Sequence, residues 1–192
     1  MKRTTGTYAT STTLGEAVQA FVPHPLPPAN PPLSPEAFSD LNHQAELALA
    51  RLSGVSGLVP SVDWLLYSAI RKEALLTSQI EGTQATLTDL FDEEAGFAVS
   101  NTDDVEEVTN YLRAFRLVQD NLRDPNGLPI SVRLLCEAHR VLLDGVRGAG
   151  KQPGELRRSQ NWIGGTRPGN AAFVPPPADR VADLLGDLEQ FI

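Results

Sequence analysis

The segment LLTSQIEGT, residues 75–83, carries the clearest information about the fold of this chain. Apolar residues recur at helical spacing before it, and Gly82 stands where a helix would end. The segment therefore predicts the last turn of an amphipathic helix, with the hydroxyl of Thr77 one turn before the carboxylate of Glu81. A glutamate is unfavourable at this end, because the helix dipole places negative partial charge there. Its position indicates either simple exposure or a function that needs a carboxylate.

Capping residues and apolar spacing predict further helices on both sides of this segment. Serine before proline, a serine after Pro60, a run of polar residues at 101–104 and Ser131 each have the features of a helix start. Apolar spacing resumes at Val181 and is still running at Ile192, so we expect the helix to continue beyond this residue. The chain is predicted to be mainly α, a bundle of about seven helices that is incomplete at its C-terminus.

Two segments differ from this helical pattern. Residues 1–33 are rich in Thr, Pro and Ala, and the prolines favour an extended arm along the domain surface. Residues 151–177 contain two short apolar runs around the turn sequence GGTRPGN, residues 164–170. Such runs predict a β-hairpin with a long tip.

Composition limits the function classes. The formal net charge is −8, which argues against a nucleic-acid partner because phosphate contacts need clustered Lys and Arg. Residues 73–112 contain ten acidic residues and no Lys or Arg, and we interpret them, apart from Glu81, as a solvated face. One cysteine excludes an internal disulfide, and the three histidines have no metal-ligand spacing. No metal site is expected.

The chain has no apolar signal sequence at its N-terminus and no apolar run long enough to cross a bilayer. We therefore expect a cytoplasmic protein without a membrane partner.

The segment from Thr77 to Gly82 resembles the inhibitory motif of Fic-domain proteins, a Ser or Thr followed four residues later by Glu and then by Gly or Asn. Most characterised members transfer AMP from ATP to a hydroxyl of a target protein. The resemblance implies that Glu81 occupies an arginine of the ATP site, which would otherwise hold the γ-phosphate. It also implies that Thr77 helps to hold the helix, with Ser78 as a polar neighbour, and that Gly82 lets the chain turn away.

A second resemblance lies far down the chain. Residues 153–177 are similar to the segment that leads into and through the flap on which the family docks its targets. The resemblance implies a first flap strand at Asn161, Trp162, Ile163, Gly164 and Gly165, and a second at Ala172, Phe173 and Val174. The flap would pair with the target by β-augmentation. Core packing beneath the hairpin is an equally good interpretation of the Trp162 and Phe173 side chains.

Together the two resemblances divide the chain into a Pro-rich arm (1–33), a Fic N-terminal helical region with the inhibitory helix (34–100) and the first part of a Fic core (101–192). The family's catalytic signature, His-x-Phe-x-Asp/Glu-Gly-Asn-Gly-Arg-x-x-Arg, is absent from these 192 residues. The chain therefore contains no catalytic residue by this resemblance and is expected to be inactive alone.

The resemblance implies ATP and magnesium as cofactors of a complete protein, a target protein as partner, and leaves a homodimer open. The alternative is a non-catalytic binding module, or a remnant, that supplies Glu81 in trans to a catalytic partner. A DNA-binding regulator is a weaker third option, because the basic helix that it needs is absent.

Three other features are interpreted as structural. His139 lies in mid-helix without the catalytic signature after it, and is predicted to pack against a helix. The sequence GVRGAGKQ, residues 145–152, nearly matches a phosphate-binding loop, but Gln152 replaces the required Ser or Thr and Pro153 follows. The acids at 92–94 lack a partner base and are assigned to the surface.

Overall fold

A computed structural model describes residues 4–29 and 31–192, without the side chains of Val62 and Asp63. The described residues form six α-helices, one two-stranded β-hairpin and four short 3-10 helices. The strands are β1 (Gly6–Thr13) and β2 (Glu16–Pro23), and the helices are α1 (Ser39–Ser56), α2 (Val62–Ile80), α3 (Leu87–Glu94), α4 (Thr102–Arg123), α5 (Val132–Leu142) and α6 (Val181–Phe191). The prediction of a mainly α fold with a β-hairpin is confirmed.

The hairpin does not lie where the sequence pattern placed it. β1 and β2 pair in antiparallel register from Gly6↔Pro23 to Thr13↔Glu16, within the segment predicted to be an extended arm. The two-residue turn at Leu14 and Gly15 has positive φ at both positions, 50° and 81°, as a tight hairpin requires. The β-branched threonines of β1 favour a strand, and the prolines that suggested an arm lie mainly after β2. Leucine is unusual in a left-handed turn position, so this turn was not recognised.

Residues 38–155 form one compact unit. Its core is built from small and medium apolar residues of α2, α3, α4 and the loop between α2 and α3: Ala74, Leu75, Ala85, Leu90, Val105, Val108 and Leu112. The N-caps have their expected partners, since Ser61 Oγ accepts from Trp64 N at 3.2 Å and Ser131 Oγ from Leu134 N at 3.3 Å. Thr86 and Asp89 form a reciprocal capping box at the start of α3. α1 has no buried residue.

Residues 4–29, 31–37 and 156–192 form the other compact unit. Val18 and Ala20 of β2 are buried against Val174, with Trp162 and Ala171 packed around them. The backbone N–H of Phe21 donates to the carbonyl of Val174 at 2.8 Å. The hairpin therefore packs against the segment predicted to be the flap.

Candidate functional site

The end of α2 is fixed by its own backbone. Gly82 has a φ of +98°, the left-handed conformation that glycine adopts most readily. Its N–H donates to Gln79 O at 3.1 Å, and the N–H of Thr83 donates to Ser78 O at 3.2 Å. These two bonds make a complete Schellman motif, with Glu81 at the C-cap and Gly82 directly after it. The glycine that marks the helix end in the sequence therefore ends the helix in the structure.

A cation lies at this helix end. Arg147 donates to the main-chain carbonyl of Glu81 at 3.4 Å and to the carboxylate of Glu107 on α4 at 3.2 Å. A positive charge near the last carbonyls of a helix offsets the negative end of its dipole. The arginine therefore contacts the backbone of Glu81 and leaves its carboxylate to other partners. No sequence pattern pointed to Arg147, because it lies 66 residues away in a glycine-rich loop.

The side chain of Glu81 is exposed. Within the described part of the chain its carboxylate makes no hydrogen bond and no ion pair. An exposed carboxylate without an internal partner, on a backbone held by three hydrogen bonds, is available to an incoming guanidinium at low reorganisation cost.

The two hydroxyl residues of the motif serve the helix. Thr77 Oγ1 donates to the carboxylate of Glu73 at 3.4 Å, a contact between adjacent turns of α2. Ser78 contributes its main-chain carbonyl, which accepts from both Glu81 N and Thr83 N. Both side chains are half-buried.

A buried ionic network holds α2 to α3, and sequence reasoning missed it. The guanidinium of Arg71 is almost fully buried and donates to the carboxylate of Glu94. Tyr67 donates its hydroxyl to the other oxygen of Glu94 at 2.6 Å, and its ring centroid lies 3.3 Å from the guanidinium carbon of Arg71. Glu94 is exposed, as its assignment to the surface predicted, but the expectation that it lacks a partner was wrong. The signal in the sequence was the i,i+4 pair Tyr67 and Arg71, which places an aromatic ring and a cation on the same face of α2.

This network changes two pKa values. Burial opposes ionisation of Glu94, but the hydrogen bonds from Tyr67 and Arg71 and the charge of Arg71 outweigh it, so the pKa of this carboxyl lies below its ordinary value. The hydrogen bond to Glu94 raises the pKa of the Tyr67 phenol, with a smaller contribution from burial. The neutral phenol and the ionised carboxylate therefore stabilise each other.

Other acids of the stretch 73–112 also have structural roles. Asp104 accepts from Gln84 N at 2.5 Å and from Asn101 Nδ2 at 2.6 Å, which fixes the start of α4. Asp89 completes the capping box of α3. The stretch is therefore only in part a solvated face.

The flap segment, residues 160–174, is closed by a single antiparallel bridge between Ile163 and Phe173. Ile163 N donates to Phe173 O at 2.8 Å, and Phe173 N donates back to Ile163 O at 3.1 Å. Gly164 and Gly165 follow with φ of +68° and +74°. The first flap strand implied over 161–165 is therefore extended only as far as Ile163, because left-handed backbone cannot continue a strand.

Side chains within the tip of the flap segment organise its turn. The side-chain oxygen of Asn170 accepts from the N–H groups of Thr166 and Arg167, both at 3.0 Å. Arg167 donates to the carboxylate of Glu16 at the start of β2, at 2.8 Å. The long tip is therefore ordered by an Asx-type turn and by an ion pair to the hairpin.

The apolar side chains of the flap segment divide between core and surface. Val174 is buried and Trp162 is half-buried against Val18 and Ala20, so the core-packing interpretation holds for Trp162. Phe173 remains 38% exposed and its ring contacts Phe21 at a centroid distance of 6.0 Å. Asn161, Ile163 and Ala172 are exposed. The main-chain N–H and C=O of Trp162 make no hydrogen bond within the described residues.

His139 has a structural contact. Its Nδ1 accepts a hydrogen bond from the N–H of Gly154 at 3.0 Å, which ties the loop after α5 back to that helix. The glycine-rich sequence at 145–152 forms a loop with a 3-10 turn at Ala149–Lys151.

The described residues contain no group of three His, Cys, Asp or Glu side chains that could hold a metal ion. None of their helices combines the length and the apolar character that crossing a bilayer requires.

The fold and the helix end define a mainly helical protein in which the carboxylate directly before a left-handed glycine has no partner among the described residues. The family model described as Fic/DOC family N-terminal matches residues 39–120. Residues 39–120, which begin at α1 and include residues 75–83, are therefore similar to the N-terminal region of Fic/DOC family proteins. A comparison with curated proteins found no match.

Proposed function

We propose that this chain is the regulatory and target-docking part of a self-inhibited Fic-type protein adenylyltransferase, which transfers AMP from ATP to a protein hydroxyl. The observation that carries the proposal is the exposed carboxylate of Glu81, without a partner in the described residues, on a backbone fixed by the Schellman motif and by Arg147. The family match over residues 39–120 supports it.

Glu81 would act by competition. A carboxylate and a phosphate both bind a guanidinium through two parallel hydrogen bonds, so one arginine cannot hold both at once. When Glu81 occupies an arginine of the catalytic signature, that arginine is not available to the γ-phosphate of ATP. Inhibition requires a fixed helix end, because a mobile carboxylate would lose entropy on binding. The hydrogen bonds from Gly82, Thr83 and Arg147 supply that restraint.

The flap segment would dock the target by main-chain pairing. Ile163 already pairs with Phe173, which leaves the N–H and C=O of the preceding Trp162 for an added strand. Because β-augmentation uses backbone groups, it aligns a target hydroxyl without reading much of the target sequence. ATP and magnesium would be held by the catalytic signature, so the described residues contribute regulation and docking rather than phosphate chemistry.

The test uses the protein as it is expressed from its own reading frame, and its intact mass is measured first. Glu81 is then replaced in that protein. Glu81→Gln keeps the shape of the side chain and removes its charge, and Glu81→Gly is the more severe change. Both should raise AMP transfer from labelled ATP about tenfold or more, the effect of losing one charge-assisted bidentate contact. Glu106→Gln, another exposed acid of the same region, should leave the rate unchanged.

If both Glu81 variants use ATP at the wild-type rate in a protein that carries the catalytic signature, the inhibitory role of Glu81 is refuted. If the native mass corresponds to a chain without that signature, the same variants are assayed with the catalytic polypeptide encoded beside it. Release of inhibition in that mixture would favour the binding module acting in trans.

A further inference from the structure

A groove between α2 and α4 carries more positive charge than its surroundings. It encloses a cavity of about 160 Å³ that is lined by Arg71, Arg116, Gln119 and Arg123, with Tyr67 as a further polar residue. Leu112 and Phe115 are part of its apolar wall. We call it the arginine groove. It stands out in a chain of formal net charge −8, beside a stretch of forty residues, 73–112, without Lys or Arg.

Three of the polar side chains lie on one face of α4. Arg116, Gln119 and Arg123 are separated by three and four residues, the spacing that aligns side chains along a helix. Arg116 and Arg123 are exposed, and within the described part of the chain neither forms an ion pair or a hydrogen bond. Two guanidinium groups therefore line the groove with their donors unused.

Arg71 completes the groove from α2. Its residue is 2% exposed, and two of its nitrogens donate, to Glu94 and to the carbonyl of Tyr67. The third nitrogen, Nε, is buried and has no partner among the described residues. A buried N–H donor without an acceptor costs free energy, so such a group needs an explanation. A water molecule would satisfy Nε, but it would not offset the charges of Arg116 and Arg123.

We propose that the arginine groove binds a small oxyanion of the phosphate class, with Arg71 Nε, Arg116, Arg123 and Gln119 as the donors. Guanidinium groups match the oxygens of phosphate in pairs, and an amide N–H adds a neutral donor. The volume excludes a whole nucleotide, because pockets for ligands of that size usually exceed about 300 Å³. This site is separate from the one assigned to Glu81, and its test does not depend on AMP transfer.

The test is calorimetric titration of the protein with inorganic phosphate at about pH 8, where a phosphate group carries about two negative charges. Chloride at equal ionic strength is the reference, so that general screening cancels. The wild-type protein should give a saturable heat of binding, with a stoichiometry of one phosphate per chain. The double variant Arg116→Gln/Arg123→Gln should bind at least about tenfold more weakly, the effect of losing charge-assisted hydrogen bonds.

Arg113→Gln is the matched control. Arg113 lies on the same helix and is also exposed, but it does not line the groove and instead donates to Asn110 at 3.2 Å. This variant should keep the wild-type dissociation constant. Circular dichroism and the urea midpoint should be unchanged in the double variant, because both of its positions are exposed.

Three results would overturn the proposal: no saturable heat with the wild-type protein, equal affinity in the double variant, or an equal loss in Arg113→Gln. Methyl phosphate as a second titrant distinguishes the source of the phosphate group. Tighter binding of methyl phosphate assigns the groove to a phosphomonoester, with the apolar wall contacting its organic part. Tighter binding of inorganic phosphate assigns it to the free anion.

Discussion

The end of α2 and the flap segment hold their backbones by different means. At the end of α2, Gly82 and Thr83 bond to carbonyls three and five residues earlier. In the flap segment, Val174 accepts from Phe21, and Arg167 pairs with Glu16 across 151 residues of sequence. The helix end is therefore specified by residues close to it in the sequence. The flap segment, in contrast, is held by contacts with the β1–β2 hairpin, which is distant from it in the sequence. Substitutions should separate the contribution of local contacts to the free energy of unfolding from the contribution of long-range contacts.

The largest effect is expected where α2 depends on a distant partner. Glu94→Gln leaves the buried guanidinium of Arg71 without its counter-charge. Breaking a buried pair from one side typically costs about 3–5 kcal/mol, and partial exposure of Glu94 reduces the expected loss to roughly 2 kcal/mol. The measurement is the free energy of unfolding in urea. Glu93→Gln, at the neighbouring exposed acid, should change it by less than about 0.5 kcal/mol.

The same variant should alter the response to acid. The pKa of Glu94 is lower in the folded protein than the ordinary value of 4.5, so its ionised form stabilises the fold above that pH. This contribution is lost as the pH falls through the lower, folded pKa. The stability difference between wild type and Glu94→Gln should therefore shrink below about pH 4.5. A constant difference down to lower pH would contradict the ionic role of Glu94.

An intermediate effect is expected from the local contacts at the helix end. Gly82→Ala places a Cβ at a φ of +98°, where it meets no other atom within 4 Å, so the cost is backbone strain alone, about 1–2 kcal/mol. Gly82→Asn should cost less, because asparagine tolerates the left-handed region.

Gly54→Ala is the control for Gly82→Ala. Gly54 lies inside α1 with open space around its added Cβ and no positive φ. Alanine there should stabilise the protein by up to about 1 kcal/mol through helix propensity. If both substitutions destabilised the protein equally, the cost of Gly82→Ala would come from replacing a glycine in general and not from the Schellman motif at the end of α2.

The smallest effect is expected at the flap. Arg167→Gln removes the ion pair to Glu16, in which the arginine side chain is 62% exposed. Exposed pairs contribute about 0–1 kcal/mol and weaken with salt. Thermal unfolding at low and high ionic strength should show a small loss that disappears at high salt. A loss larger than that of Glu94→Gln would reverse the ranking and make the flap contact the main determinant of stability.

The sequence by itself determined the helices whose ends carry a local chemical signal. Ser61 and Gly82 set the two ends of α2, and Ser131 sets the start of α5, because capping needs only groups within a few residues of the helix end. The mainly α class followed from the same spacing and caps. The motif from Thr77 to Gly82 was likewise visible because its residues lie on consecutive turns of one helix.

Only the tertiary structure decided which charged and apolar groups meet across the chain. The sequence does not show that Arg71 is buried against Glu94, that Arg147 contacts the end of α2, or that β2 packs against Val174. The sequence pattern also predicted the β-hairpin in the flap segment rather than at β1 and β2. Two short apolar runs around a glycine-rich turn look the same in a sequence whether they form a full ladder of hydrogen bonds or a single bridge. Such pairings depend on the free energy of contacts between distant segments, which no local pattern records.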